Sequence, residues 1–428
     1  MICLTGSDIN VFSLLALLNY STDRSTKTLR VHFSDYDFMN VRSGEFELFL
    51  AYGRIVVYNI HQRTESGTII FSGRGKMKLI KTVDAEGAVL CHDITQIIKG
   101  VTKDAVFRKG HIVTREDIPV LLSVGKDELY VWEKEEGMMH ENDAAEVLVS
   151  MCIGDHMDKS GVKEGKIELS AACDGLLKVN EAGMRAVNGF GQMMIASRHG
   201  NCPVKKGDKL AGTRIIPLVI EEDKMMSAKA AAEKATGGEP ILKLLPFQNK
   251  KVGIVTTGNE VFYGRIQDTF TPVIEGKFKE YDAEVIAHEI WNDDDKKVTE
   301  AILRMIEQGA DIVCCTGGMS VDPDDRTPLA IKNTGARIVT YGAPVLPGAM
   351  FLLAYYEVKE GPNPRTVVIM GLPGCVMYAK RTIFDLVLPR VMADDEITAG
   401  ELSTLGQGGL CLNCKVCTFP NCGFGKGW

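Results

Sequence analysis

Between Lys251 and Gly374 the chain alternates short apolar runs with amphipathic helical patterns, and glycine turns follow several of the runs. The run Val252–Thr256 is continuously apolar, as expected of a strand buried on both faces of a sheet, and Asp311–Cys315 is predicted to be the next buried strand. Strands that alternate with helices predict a parallel sheet with helices on both of its faces. In such α/β folds, ligands bind at the carboxyl ends of the strands.

Glycine turns lie at these predicted strand ends, with the sequences Thr256-Thr257-Gly258-Asn259-Glu260, Thr316-Gly317-Gly318-Met319-Ser320 and Gly371-Leu372-Pro373-Gly374. Such turns direct backbone N–H groups toward an anion, and the following helix adds the positive end of its dipole. Several carboxylates lie among the turns, at Glu260, Asp268, Asp322, Asp324 and Asp325. Phosphate donors beside carboxylates that suit Mg²⁺ or proton transfer predict a site for an anionic cofactor.

With 428 residues, the chain is too long for one typical domain. We expect an α/β protein with a three-layer parallel-sheet domain, preceded by smaller mixed α/β and β-rich domains and followed by a short Cys-rich tail. Composition shifts and Gly/Pro breaks place the units at residues 1–76, 77–245, 246–395 and 396–428. The first is an α/β appendage of unknown role, with an apolar segment at Val11–Leu18 and strand-like runs at Glu47–Leu50 and Arg54–Asn59.

Charge and hydropathy exclude two classes of partner. The net charge of −7 does not supply the basic surface that nucleic acids require. The apolar segment Val11–Leu18 is far too short to span a membrane. Eight of the twelve cysteines are scattered and resemble reduced core thiols. We therefore expect a cytoplasmic protein that binds neither nucleic acid nor membrane.

The loops together resemble the molybdopterin-binding domain of molybdenum-cofactor biosynthesis proteins, and most of all the molybdopterin molybdenumtransferase branch. The matching segments are Thr257-Gly258-Asn259-Glu260-Val261, Gly264-Arg265-Ile266-Gln267-Asp268, Gly317-Gly318-Met319-Ser320-Val321 with Asp325, Pro347-Gly348 and Gly371-Leu372-Pro373-Gly374. The resemblance covers about residues 246 to 395. A weaker one extends back to Met77, where Ser170-Ala171-Ala172-Cys173-Asp174-Gly175 is similar to the family's Ser-Ala-Met-Asp-Gly segment.

The resemblance implies roles for individual residues. Gly317, Gly318 and Ser320 would hold the terminal phosphate of the pterin, and Thr257 and Gly258 would line the same pocket. The other positions expected at the cofactor are Asp324, Pro347, Gly348, Pro373 and Gly374.

Four carboxylates are the implied catalytic groups. Asp268 and Asp325 would lie near the dithiolene and the arriving molybdate or Mg²⁺, with Glu260 as a further carboxylate. Asp174 would contribute from the neighbouring domain, across the homodimer that the family forms. From its position alone, Asp268 is equally well explained as a helix cap.

The resemblance implies Mg²⁺-assisted insertion of molybdate into molybdopterin, which the family receives in adenylylated form. The family usually has lysines around the turn that corresponds to Pro347-Gly348, whereas this chain has Val345, Leu346 and Ala349. Because this departure removes positive charge, a second hypothesis is a non-catalytic carrier that delivers the finished cofactor to a client molybdoenzyme.

The tail contains four closely spaced cysteines, Cys411, Cys414, Cys417 and Cys422. Thiolates at such spacing can converge on one metal centre without help from the rest of the fold. The first three spacings resemble an iron–sulfur run, but the last gap is longer and Pro420 precedes the final cysteine. The spacing therefore predicts either a Zn²⁺ site or a [4Fe–4S] cluster.

Overall fold

A computed structural model describes residues 77–427 except 99–101, 133–136, 321–324 and 360–363, together with six strands in the first 59 residues. The chain divides into two compact units, Met1–Arg74 and Gly75–Trp428. The predicted apolar segment Val11–Leu18 lies outside the described residues.

The first unit is described by its strands, β1 to β6: Cys3–Leu4, Tyr20–Asp23, Thr28–Phe33, Tyr36–Arg42, Phe46–Ala51 and Arg54–Asn59. They form two antiparallel sheets, in the orders β1-β5-β6 and β2-β3-β4. The predicted strands at Glu47–Leu50 and Arg54–Asn59 are confirmed as β5 and β6.

The second unit begins with short strands and helices around two separate apolar cores. Its strands β7 to β20 are Met77–Lys81, Val89–Leu90, Ile94–Ile98, Thr102–Phe107, Glu128–Trp132, Met138–His140, Met157–Lys159, Lys166–Ala171, Gly175–Val179, Met193–Ser197, Cys202–Val204, Lys209–Ile215, Val219–Glu221 and Leu242–Pro246. Its helices α1 to α4 are Asp117–Ser123, Glu141–Ser150, Glu181–Asn188 and Glu222–Thr236. One core lies within residues 85–131 and the other within residues 144–244.

The rest of the unit is built on one six-stranded sheet. Its strands β21 to β26 are Lys251–Thr257, Glu284–Trp291, Ile312–Thr316, Arg337–Tyr341, Leu352–Val358 and Arg365–Leu372. The helices α5 to α10 are Asn259–Phe262, Thr271–Lys279, Asp295–Glu307, Thr327–Asn333, Ile383–Met392 and Ala399–Thr404. The strand order is β22-β21-β23-β26-β25-β24.

The prediction of a wholly parallel sheet is wrong at one strand. Strands β22, β21, β23 and β26 are parallel, but β25 runs antiparallel to both β26 and β24. The connection from β25 to β26 is residues 359–364, which is too short for the crossover that parallel neighbours require. The carboxyl ends of β21, β23 and β26 nevertheless lie at one edge, as predicted.

The predicted helices on both faces of the sheet are confirmed. Alternate residues of each strand point to opposite faces, so Val252 and Ile254 pack with α6 and α9, whereas Val255 and Val313 pack with α7 and α8. The sheet is therefore the middle of three layers. No helix in the described ranges is long and apolar enough to cross a membrane.

Candidate functional site

Two of the predicted glycine loops touch each other where the neighbouring strands β21 and β23 end. A Cβ atom on Gly317 would lie 2.1 Å from the carbonyl oxygen of Thr257, and φ at Gly317 is +80°. At Gly318, φ is +53° and a Cβ would lie 2.9 Å from Thr327 Oγ1. Any side chain would force the two loops apart and strain the backbone. The sheet therefore brings Thr257, Gly317 and Gly318 together.

Two buried threonines connect these loops. The Thr327 hydroxyl, at the start of α8, donates to the Gly317 carbonyl over 2.8 Å and lies 3.0 Å from Thr257 Oγ1. Because its one proton is used on Gly317, the Thr327 oxygen accepts from Thr257. The junction is thus held by hydrogen bonds that run from Thr257 through Thr327 to Gly317.

The loop after β23 also contacts Tyr341, at the end of β24. The Tyr341 hydroxyl lies 3.1 Å from the Met319 carbonyl and 3.3 Å from the Ser320 carbonyl, so its single proton can be donated to either. Burial, together with the charge of Asp325, raises the pKa of Tyr341 and keeps this donor protonated. The Ser320 side chain is exposed, so the Ser320 backbone is held while its hydroxyl stays accessible.

Asp268 is surrounded by donors. Its Oδ1 accepts from the backbone N–H groups of Phe270 and Thr271 over 2.8 and 3.1 Å, at the start of α6. Its Oδ2 accepts from the hydroxyls of Thr271 and Thr256 over 2.6 and 3.1 Å. Burial opposes ionisation, but these hydrogen bonds outweigh it and lower the pKa of Asp268. The two backbone N–H contacts at the start of α6 are those of a helix cap, as one of the two interpretations of Asp268 expected.

His288, on β22, completes this cluster beneath the end of β21. Its Nε2 lies 3.0 Å from Thr256 Oγ1, 3.1 Å from Thr271 Oγ1 and 3.3 Å from Asp268 Oδ2. The side chain of Asp268 is 10% exposed and that of His288 is 28% exposed. The cluster is therefore largely buried and meets solvent at the histidine ring.

The loop after β26 approaches the same cluster. The Thr269 hydroxyl donates to the sulfur of Met377 over 3.0 Å, in the 3₁₀ turn Gly374–Met377. Val376 N–H donates to the Pro373 carbonyl over 3.0 Å, which closes that turn. The third glycine loop, with Pro373 and Gly374, is thereby placed beside the Asp268 loop.

Glu260 lies on the short helix α5, directly after Gly258, and is exposed. Gly258 has a φ of +138° and donates its N–H to the Trp291 carbonyl over 3.2 Å. The next N–H, of Asn259, donates to Asp293 over 3.1 Å. The structure thus presents the Glu260 carboxylate at the sheet edge, while the backbone of its loop is fixed to the end of β22.

Asp325 is half-buried between the second loop and α8, and Asp322 and Asp324 lie outside the described residues. The next residue, Arg326, places its Nη1 3.3 Å from Asp295 Oδ1, at the start of α7. The arginine therefore joins α7 to α8.

The Pro347-Gly348 turn packs against α9 and the tail. A Cβ on Gly348, where φ is +130°, would lie 2.4 Å from Ile383 Cγ2. Leu346 N–H donates to Gly409 and its carbonyl accepts from Cys411 N–H, both over 2.8 Å. The turn that bears lysines in the family is here paired with the tail backbone.

Asp174 lies outside the sheet domain, at the start of β15. It accepts from Lys205 Nζ and from the backbone N–H of Lys206, each over 2.8 Å. The Lys205 hydrogen bond is the main cause of its lowered pKa. A role for Asp174 across a homodimer stays a prediction.

The four tail thiols do not form a metal cage in this structure. Cys411 and Cys422 pack against the core beneath α9, whereas Cys414 and Cys417 are exposed. Across the described ranges, no group of three or more His, Cys, Asp or Glu side chains is placed to hold a metal. This conformation does not fit Zn²⁺ or a [4Fe–4S] cluster.

Several site residues were missed from the sequence: Thr256, Thr271, His288, Thr327 and Tyr341. A usable signal was present, because Asp-x-x-Thr-Pro occurs at residues 268–272 and again at 324–328. Both copies place threonine at the first residue of a helix with proline next to it. No local pattern pairs His288 with Asp268, since 20 positions along the chain separate the two residues.

Residues 253–393 match the family described as "Probable molybdopterin binding domain". Residues 79–133 match a family described as a domain of unknown function (DUF8806).

Over 186 residues the chain is 28% identical to a molybdopterin molybdenumtransferase of Nostoc sp., a match that covers 42% of this chain and 40% of that protein. It is 35% identical over 77 residues to a CinA-like protein of Mycobacterium tuberculosis, covering 18% of each. The matches therefore span less than half the length of these relatives. Among solved structures, the tungsten cofactor synthesizing protein MoaB from Pyrococcus furiosus matches with a TM-score of 0.28 and 23% identity, over 34% of this chain and 93% of that one.

Proposed function

We propose that this chain, whose residues 253–393 belong to the molybdopterin-binding family of molybdenum-cofactor biosynthesis proteins, binds molybdopterin at the joined glycine loops. The observation that carries the proposal is the contact between the loops after β21 and β23, where a Cβ on Gly317 would lie 2.1 Å from the Thr257 carbonyl. Backbone free of side chains at adjacent strand ends suits a phosphate group.

Each part of the junction has a role in this proposal. Gly317 and Gly318 offer backbone at close range, and Ser320 adds an exposed hydroxyl to the terminal phosphate. The loop with Pro373 and Gly374 bounds the pterin side. Asp324 lies outside the described residues, and its expected contact with the cofactor remains part of the proposal.

The reaction that we propose is Mg²⁺-assisted insertion of molybdate into molybdopterin, supplied in adenylylated form. Mg²⁺ prefers carboxylate and water oxygens, and the exposed Glu260 and half-buried Asp325 suit that task. Asp268 already accepts four hydrogen bonds, so we assign it to positioning the loop after β21. His288 lies in the same hydrogen-bonded cluster, and we assign it to holding Asp268 and its threonine partners in place.

The second candidate function is a cofactor carrier. It is favoured by the pairing of Leu346 with Gly409 and Cys411, because this tail segment covers the turn where the family's lysines would act. In a carrier, molybdopterin would bind without metal insertion and would be passed to a client molybdoenzyme.

Two measurements test these proposals. Binding of molybdopterin should weaken about tenfold in Thr257→Val, since loss of the hydroxyl loosens the junction, while Thr366→Val at the opposite edge of the sheet serves as the control. Equal affinity in both variants would contradict the proposed binding site at the junction.

Molybdate-dependent conversion of bound, adenylylated molybdopterin then separates the two functions. Conversion supports the enzyme, and tight binding without conversion supports the carrier.

The tail metal is a separate proposal, because the thiols must rearrange to enclose an ion. Metal analysis of anaerobically purified protein tests it. About one zinc or four irons per chain would support a thiolate site, and less than about a tenth of either would reject it.

A further inference from the structure

A second site is suggested by a cavity of about 610 Å³ that lies away from the glycine loops. One wall is formed by the end of β15, by α3 and by residues 197–203, and the other by α9 and the tail. Cavities of this size hold small organic ligands in other proteins. None of the predicted cofactor-binding or catalytic residues lines it.

The cavity contains more positive than negative charge. Its lining includes the cations Lys178, Arg185, Arg198, Arg390 and Lys426 and the anions Glu181, Asp385 and Glu401. Asp385 is engaged by Lys277 and Arg381, over 2.6 and 2.8 Å, and neither of these two residues lines the cavity.

Most of the lining cations have carboxylate partners, and Arg185 pairs with Glu181 over 2.7 Å. Lys178 and Arg390 both pair with Asp395, and Arg390 also pairs with Glu401. Arg198 pairs with Asp208 over 2.8 Å and donates to the Asn421 side chain in the tail over 2.7 Å. These pairs hold the two walls and the tail together.

Lys426 is different. It is half-buried and, in the described part of the chain, forms no ion pair with a carboxylate. Its ammonium group is hydrogen-bonded to the Cys202 thiol, and its charge helps to lower the pKa of His199. Burial raises the pKa of Cys202 and lowers that of His199, so both neighbours are neutral near pH 7. A partly desolvated cation between neutral groups is stabilised by a bound anion.

The backbone places Lys426 firmly. A Cβ on Gly425, where φ is +74°, would lie 2.3 Å from Leu386 Cδ2. On the other side, a Cβ on Gly427 would lie 2.2 Å from the Thr404 carbonyl. Phe424 is buried in the core beneath α9. These close contacts hold residues 424–427 against the cavity wall, so the backbone of Lys426 has a fixed position there.

We propose that this cavity binds a small organic anion, whose charged group pairs with Lys426, Arg198 and Arg185. The apolar body of the ligand would lie against Met184, Leu386 and Phe419, which line the same space. The proposal does not depend on molybdopterin binding, because it uses other residues and another part of the fold.

The test is titration of the full-length protein with phenyl phosphate, benzoate and the neutral benzyl alcohol, followed by calorimetry. We expect a dissociation constant below about 1 mM for at least one anion, and at least tenfold weaker binding of the alcohol. Phenyl phosphate favoured over benzoate would identify phosphate esters as the class; the reverse order would identify carboxylates. Failure of both anions to bind would overturn the proposal.

Variants locate the binding. Lys426→Gln and, independently, Arg185→Gln should weaken anion binding by about tenfold and threefold, whereas Lys415→Gln, on an exposed tail residue outside the cavity, should not. Arg185→Gln keeps the test valid if Lys426→Gln disturbs the tail. The Thr257→Val variant should bind the anion normally. Binding that is lost in Thr257→Val and kept in both cavity variants would instead place the anion at the glycine loops and reject the cavity.

Discussion

The glycine-loop junction and the Cys-rich tail are both predicted from the sequence as binding sites, but the structure brings the predicted residues together only at the junction. At the junction, Thr257, Gly317 and Thr327 come from separate segments and meet within hydrogen-bonding distance. In the tail, four cysteines within 12 residues remain apart, two facing the core and two facing solvent. Proximity along the chain was therefore the weaker indicator of a site.

The difference has a physical cause. Parallel strands must end at the same edge of a sheet, so the loops that follow neighbouring strands converge whatever their sequence. A short cysteine run has no such constraint, and burial of Cys411 and Cys422 against apolar groups competes with convergence on a metal. The glycines of both regions serve close packing, at Gly317 between two loops and at Gly425 against Leu386.

The largest effect should follow from damage to the platform on which the tail rests. Asp385 caps α9 and pairs with Lys277 and Arg381, and its side chain is only 3% exposed. Asp385→Asn removes the charged partner of Lys277 and one of the two carboxylates beside Arg381, the other being Glu280 at 3.4 Å. It should lower the free energy of unfolding by about 3–5 kcal/mol. Asp394→Asn, at a residue that is 62% exposed, should cost less than about 1 kcal/mol. Urea denaturation compares them, and equal losses would refute the argument.

Next in size is Gly317→Ala at the junction. The new methyl would meet the Thr257 carbonyl at a positive φ, so we expect a loss of about 2–4 kcal/mol and weaker molybdopterin binding. Gly161→Ala is the matched control, because a Cβ there meets nothing within 4 Å and the residue lies outside the proposed site. A thermal melt that shows no difference between the two variants would mean that the loops do not touch as described.

Asp268→Asn tests the cap and its pH dependence. Hydrogen bonds lower the pKa of Asp268 from an ordinary value of 3.8. Its stabilising contribution is therefore complete above that value and is lost as the pH falls through the lowered pKa of the folded state. We expect a penalty of about 1–3 kcal/mol at pH 7 that shrinks toward pH 2. Denaturation curves across this range would disprove the assignment if the penalty stayed constant.

The smallest effect should come from the exposed tail thiols. Cys414→Ser combined with Cys417→Ser should change the stability of metal-free protein by less than about 0.5 kcal/mol, because both residues are exposed. If the purified protein holds zinc or iron, the same double variant should lose it. A loss of stability above about 1 kcal/mol without metal would show that these thiols are packed.

The strand and helix pattern of the sheet domain was predictable because buried strands and amphipathic helices differ in their periodicity. The predicted runs Val252–Thr256 and Asp311–Cys315 fall on strands β21 and β23, whereas β25 was not predicted. Its run Leu352–Val358 lies after an irregular segment and before a connection too short for a helix. Only pairing with both β24 and β26 shows that β25 completes the sheet.

The amino-acid sequence was enough to predict which loops end the parallel strands, because that follows from strand direction alone. It also supplied the glycines that tolerate a positive φ at the junction. Tertiary structure decided the rest: that Asp268 is satisfied by Thr256 and Thr271, that His288 joins them from the next strand, and that the tail thiols stay apart. These contacts depend on distances between residues far apart in the chain, which no local pattern encodes.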